Sequence, residues 1–268
     1  MKLHHKVDHR ESIILENKNQ HIFAVLHKPI HLEQFPVVLI CHGLGGHKVG
    51  RYRVYVDIAH HLAKSGIGTL RFDYRGSGDS EGDFHDITME DQVSDTLVAM
   101  RFLEIHPQVD NDRIGLLGRS FGGAVSVIAA SQYKRIKSFC LWSPIYNANQ
   151  WKDKWHLLQS PGLQPHHLEN IMPINGQVPA IELFKQFVDL RMEDHLPSMH
   201  STPLFIIHGV QDQIVNIANA EKYVHARLHA PAQTKFTQLP LSDHDFTPFL
   251  ERRKALEETN QWFSQTLI

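Results

Sequence analysis

Ser120 is the side chain best placed to do chemistry. It lies in Gly118-Arg119-Ser120-Phe121-Gly122, the G-x-S-x-G spacing in which a sharp strand-to-helix turn presents a serine hydroxyl at a sheet edge. Residues 114–117 form an apolar run long enough for a buried strand, and residues 122–130 a small-residue helix. The glycines have a steric purpose. The serine backbone in such a turn is strained, and side chains two residues either way would strike the neighbouring strand or helix. An alkyl hydroxyl also needs a base to take its proton, usually a histidine held by a carboxylate. Asp212, in Ile207-His208-Gly209-Val210-Gln211-Asp212, and His244, in Leu241-Ser242-Asp243-His244-Asp245, each follow a late strand pattern. Both are therefore expected at the same carboxyl edge as Ser120. His208, Asp243 and Asp245 compete for these roles. His208 ends a strand before a glycine and reads as structural; the two aspartates flank the histidine too closely to orient its ring.

Acyl transfer needs donors where a carbonyl oxygen becomes an oxyanion. The Phe121 amide, at a helix N-terminus, is one candidate. The loop His42-Gly43-Leu44-Gly45-Gly46 follows an apolar strand pattern ending at Cys41, and the Leu44 amide is the second. Gly43 and Gly45 let that backbone approach a substrate. The loop lacks the G-x-x-x-x-G-K-[ST] pattern and any dinucleotide fingerprint, which argues against a phosphate cradle.

The elements that must position these groups alternate. Residues 11–17 and 20–27 read as a hairpin turning at Asn17-Lys18-Asn19. Strands are expected at 36–41, 67–72 and 136–142, with helices at 51–64 and from a Thr88 N-cap to about Ile105. That alternation predicts an α/β chain, a parallel sheet with helices on both faces. The rhythm breaks over 143–202, read as a cap insertion within one domain spanning 1–268. Its candidate substrate contacts are Trp151, Trp155, Phe184 and Met192, with one good helical pattern at 181–187. A strand at 203–209, a helix at 218–227, a strand at 235–239 and a helix at 248–266 complete the chain.

Composition excludes several classes. Lys and Arg total 27 against 29 Asp and Glu, which offers no electrostatic case for nucleic acid or an anionic membrane. No apolar run approaches the ~18 residues of a membrane span, and the charged N-terminus does not read as a signal peptide. The 21 histidines follow no metal-ligand spacing, so neither a metal nor another cofactor is expected. Cys41 and Cys140 sit inside strand patterns and read as reduced thiols, hence a cytoplasmic protein.

The chain resembles the α/β-hydrolase superfamily over nearly its whole length. His42-Gly43-Leu44-Gly45-Gly46, the segment from Arg71-Phe72-Asp73-Tyr74-Arg75-Gly76 to Asp83-Phe84, and Gly118-Arg119-Ser120-Phe121-Gly122-Gly123 look like bacterial cinnamoyl/feruloyl esterase-type serine hydrolases. The resemblance implies an eight-stranded, mostly parallel sheet with a small cap, a Ser120–His244–Asp212 triad, Leu44 and Phe121 as oxyanion donors, and hydrolysis of carboxylic esters. It also implies that Asp73 and Arg75 are scaffold. Between Asn147 and Thr202 there is no tyrosine to hold a phenolic hydroxyl. The expected substrate is therefore a small to medium acyl or aryl ester, with a homodimer left open. The rivals are a peptidase, thioesterase, monoacylglycerol lipase or acyltransferase on the same triad, and a ligand-binding protein without catalysis. Dehalogenase chemistry would need an aspartate where Ser120 stands.

Overall fold

The structure, a computed structural model, describes residues 6–133, 135–159 and 174–268. It begins with the expected hairpin, β1 (Asp8–Asn17) and β2 (Gln20–Pro29), paired antiparallel from Asn17↔Gln20 outward. Lys18 and Asn19 both take positive φ, 51° and 60°. Two such residues match the twist of the flanking strands, which is why short hairpins select them.

The remaining strands are β3 (Phe35–Cys41), β4 (Gly68–Phe72), β5 (Val109–Arg119), β6 (Ile136–Trp142), β7 (Leu204–Gly209) and β8 (Thr234–Leu239). They build one eight-stranded sheet in the order β1-β2-β4-β3-β5-β6-β7-β8. β2 meets β4 antiparallel, and every pairing from β4 to β8 is parallel. The pleat sends alternate side chains to opposite faces, and the core divides accordingly. Val37, Leu39 and Cys41 of β3 join one buried cluster, with α2 (Met89–Ile105) and α3 (Phe121–Gln132). Val38 and Ile40 join the other, with α1 (Val54–Lys64) and the C-terminal helix. A sheet covered on both faces needs apolar residues at every strand position, and β3, β4 and β7 are buried throughout.

Helix boundaries follow local chemistry. Thr88 and Asp91 form a reciprocal capping box at the start of α2. The chain leaves α1 through Gly66, at φ 78°. The excursion between β6 and β7 contains α4 (Lys152–Leu158), α5 (Ile181–Val188) and short 3₁₀ turns. Sequence reading anticipated α5 and missed α4, whose seven residues are too few to show a helical period. Helices α6 (Ala218–Ala226) and α7 (Phe249–Leu267) complete the fold. Among the described residues no helix is long and apolar enough to cross a membrane.

Candidate active site

β5 ends at Arg119 and α3 begins at Phe121, leaving Ser120 alone in the turn with φ 55° and ψ −124°. That conformation is costly for a residue with a Cβ, and backbone bonds hold it. The Ser120 amide donates to Trp142 O at 2.9 Å, and its carbonyl accepts from Gly123 N at 3.0 Å. The glycines are sterically required. A Cβ on Gly118 would stand 2.4 Å from Ser126 Oγ and 2.7 Å from Gly123 Cα, and one on Gly122 would meet the ends of β3.

The loop after β3 passes directly over the serine. A Cβ on Gly43 would lie 3.2 Å from Ser120 Cβ and 3.7 Å from its Oγ. Buried His42 shapes this loop from below. Its Nδ1–H donates to Gly43 O at 2.8 Å, while its Nε2 accepts the Tyr74 amide at 3.1 Å. Burial pushes its pKa down to about 4, so the ring is neutral and both roles persist at neutral pH. From the other side, Asn175 Nδ2 donates to Gly45 O at 3.0 Å. Leu44 thus sits between two pinned carbonyls. Neither the Leu44 nor the Phe121 amide has a hydrogen-bond partner among the described residues, which leaves both able to receive an oxyanion.

Asp212 and His244 leave the sheet after β7 and β8, and Gly209 lets their loops touch: a Cβ there would stand 2.3 Å from Ser242 O. Asp212 Oδ1 accepts the Ile214 and Val215 amides, each at 2.8 Å. Its Oδ2 accepts His244 Nδ1–H at 2.7 Å, leaving His244 Nε2 as the basic nitrogen. His208, fully buried, donates from Nε2 to Val215 O at 2.9 Å and lies 3.2 Å from the same Oδ2. Burial raises the Asp212 pKa, but the hydrogen bonds from His208 and His244 outweigh it and hold the carboxyl well below the usual range.

The competing aspartates are engaged elsewhere. Asp243 accepts from the Asp245 and Thr247 amides and the Thr247 hydroxyl, capping its own turn. Asp245 pairs with Arg119 and Arg51. Asp73 accepts the Lys48 amide at 2.5 Å and its ammonium, and Arg75 holds Asp95 at 2.8 Å. Both therefore act as loop scaffold.

The four expected substrate contacts separate. Trp151 is half-buried and packs at a tilt against Phe187, ring centroids 5.0 Å apart, and Phe187 meets Phe121 edge-on at 5.7 Å. An aromatic row thus runs from the start of α3 into the insertion. Trp155 and Phe184 form a small apolar cluster with Leu158 and Ile174. Met192 must be corrected: it has 0% exposure and packs in the main core, so it anchors the insertion and offers substrate no surface. Sequence reading also missed Gln150, which fastens the insertion to the Asp212 loop through Ile214 O at 2.7 Å and Asn216 N at 2.9 Å. Among the described residues no three histidines, cysteines or carboxylates group to hold a metal.

The fold is that of the α/β-hydrolases. Residues 33–173, more than half of the chain, match the serine aminopeptidase S33 family, and the chain belongs to it. The match takes in Leu44 and Ser120 and stops before Asp212 and His244. Among solved structures, ferulic acid-bound Est1E from Butyrivibrio proteoclasticus superposes with a TM-score of 0.79 at 23% identity, covering 95% of this chain and 98% of that one. The 31.7 kDa protein in the traX-finO intergenic region of Escherichia coli is 34% identical over 102 residues, 38% of this chain and 35% of that protein. Thiohydrolase aneE of Aspergillus aculeatus is 33% identical over 114 residues, 42% of this chain and 35% of that protein. The chain thus spans about a third of the length of these curated relatives, 35% in both cases. Fold and family together place it in the α/β-hydrolase class.

Proposed function

We propose that the chain is a serine carboxylic-ester hydrolase that works through an acyl-enzyme on small to medium acyl or aryl esters. The observation that carries this reading is the His244 Nδ1–Asp212 Oδ2 bond at 2.7 Å at the same sheet edge as a strained serine under a glycine loop. His244 Nε2 takes the Ser120 proton as Oγ attacks the ester carbonyl, and Asp212 stabilises the imidazolium that forms. The Leu44 and Phe121 amides receive the oxyanion. Collapse of the tetrahedral intermediate breaks the acyl C–O bond, and the alkoxide leaves with the proton from His244. Water, deprotonated by His244, then attacks the acyl-enzyme, and the carboxylic acid is released as Ser120 regains its proton. The fully buried thiols of Cys41 and Cys140 fit a reducing, cytoplasmic setting.

The family description favours a second reading, an aminopeptidase. Such an enzyme needs a carboxylate to hold the substrate amine. Among the described residues of the insertion, Asp153, Glu182, Asp189, Glu193 and Asp194 are all exposed, and Asp194 pairs with Arg191. The test is hydrolysis of p-nitrophenyl esters of increasing acyl length, methyl ferulate, an acyl thioester and an aminoacyl anilide, with Ser120→Ala alongside. We expect a short-ester maximum that vanishes in Ser120→Ala. An anilide maximum would move the enzyme to the peptidases, and equal rates with and without Ser120 would overturn the triad.

A further inference from the structure

We propose that Arg119 is a positioning residue for catalysis, a buried guanidinium that locks the loop of the base to the turn of the nucleophile. The proposal rests on the esterase reading above. Arg119 ends β5 and is covalently joined to Ser120, with 9% of its surface exposed. A guanidinium taken out of water must find acceptors for its N–H groups. Arg119 finds them on the loop that carries the base, 125 residues away in sequence. Its Nη2 donates to the main-chain carbonyl of His244 itself at 2.8 Å, and also to the Asp245 carboxylate. The second Asp245 oxygen accepts from Arg51 Nη1 at 2.6 Å, in the segment that follows the Leu44 loop. One buried cation–carboxylate pair therefore joins the nucleophile turn, the base loop and the chain behind the oxyanion loop.

The carbonyl that Arg119 grips belongs to the residue whose ring must meet Ser120. Arg119 touches no reacting atom and acts through the backbone of His244. An error of about 1 Å in such a geometry costs on the order of 100-fold in rate. Both bonds leave one nitrogen, Nη2, whose two hydrogens are fixed in the guanidinium plane; a lysine ammonium, on a shorter and freely rotating stem, reproduces neither that reach nor that fixed geometry.

The test compares wild type with Arg119→Ala, Arg119→Lys and Asp245→Asn, each checked for folding by circular dichroism and thermal melting. The readouts are kcat and KM on p-nitrophenyl butyrate and the rate of fluorophosphonate labelling at Ser120, with and without guanidinium at sub-denaturing concentration. For Arg119→Ala we expect kcat to fall about 100-fold with KM little changed, and free guanidinium to restore much of the loss. Arg119→Lys should fall between the two. Asp245→Asn, which keeps the bond to His244 O, should lose less than Arg119→Ala. A folded Arg119→Ala with wild-type kcat, or a loss that guanidinium leaves untouched and that tracks Tm alone, would overturn the proposal. If Arg119→Ala does not fold, a folded Arg119→Lys with wild-type kcat overturns it equally. Labelling of wild type with Arg119→Ala unaffected removes this proposal alone, whereas no labelling of wild type removes the esterase reading with it.

Discussion

Gly122 and His42 are in backbone-to-backbone contact: a Cβ on Gly122 would stand 2.1 Å from the His42 carbonyl oxygen and 2.5 Å from that of Cys41. The helix that follows Ser120 is thereby pressed against the end of the strand that carries the His42–Gly46 loop. Gly122→Ala places a methyl group where no rotamer change helps, because both obstacles are main chain. We expect a stability loss of about 1–3 kcal/mol and a much larger proportional loss of kcat, since relief requires the two loops to part. Urea unfolding with parallel kinetics checks this. A fully active, fully stable Gly122→Ala would contradict the contact.

Asp212 receives four donors: two amides at 2.8 Å, His244 at 2.7 Å, and His208 at 3.2 Å. Asp212→Asn keeps the shape but turns a donor toward groups that also donate, and it favours the wrong His244 tautomer. We expect kcat to fall by about 10⁴-fold, with the fold retained. Retention of more than a tenth of wild-type kcat would show that another group orients His244.

Acid should unfold this protein through two buried histidines. His27 donates from Nδ1 to Asp8 at 2.5 Å and accepts Arg71 Nε at 3.0 Å, and burial followed by the Arg71 charge pushes its pKa down to about 4. His42 is held neutral in the same way, also at about 4. Each folded pKa lies below the unfolded 6.5, so the unfolded chain binds more protons between those values. Stability is therefore whole above pH 6.5 and declines as pH falls toward 4, by roughly 3 kcal/mol per histidine. Asp212, whose pKa is lowered from 3.8, adds its own loss only below that range. Urea midpoints measured from pH 7 to 4.5 test this; constant midpoints would refute it.

Asn175 takes φ 50°, a conformation that glycine shares without strain. Asn175→Gly therefore preserves the turn and deletes only the donor to Gly45 O. We expect kcat to drop about tenfold, the scale of one modest hydrogen bond, with KM less affected. Asn175→Asp, which sets a carboxylate against that carbonyl, should be worse. Identical kinetics for all three proteins would show that the Asn175 bond to Gly45 O has no part in catalysis.

Cys41 and Cys140 have no exposed surface, and burial pushes both thiols up to about 12. Neither should react with a thiol reagent at pH 8 until the protein unfolds. Native-state labelling counted by mass spectrometry checks this.

Order along the chain was enough to reveal the sheet, the elbow and the three triad candidates. A buried parallel strand needs a continuous apolar run, a strained serine turn needs flanking glycines, and the carboxyl ends of parallel strands share one edge. These are local demands, written within a few residues of Ile114, Gly118 or Gly209. Short α4 left no period to read, and the fate of the insertion's apolar residues was equally hidden, since core packing and substrate lining require the same residue types. Only the fold decided that Met192 is core while Trp151 joins the aromatic row to Phe121. The same holds for polar groups that pair across distance. An arginine ending an apolar strand announces that a buried partner must exist, but not that the partner is the carbonyl of His244. Hydrogen bonds between loops depend on where the strands deliver those loops, and that position is a property of the folded sheet.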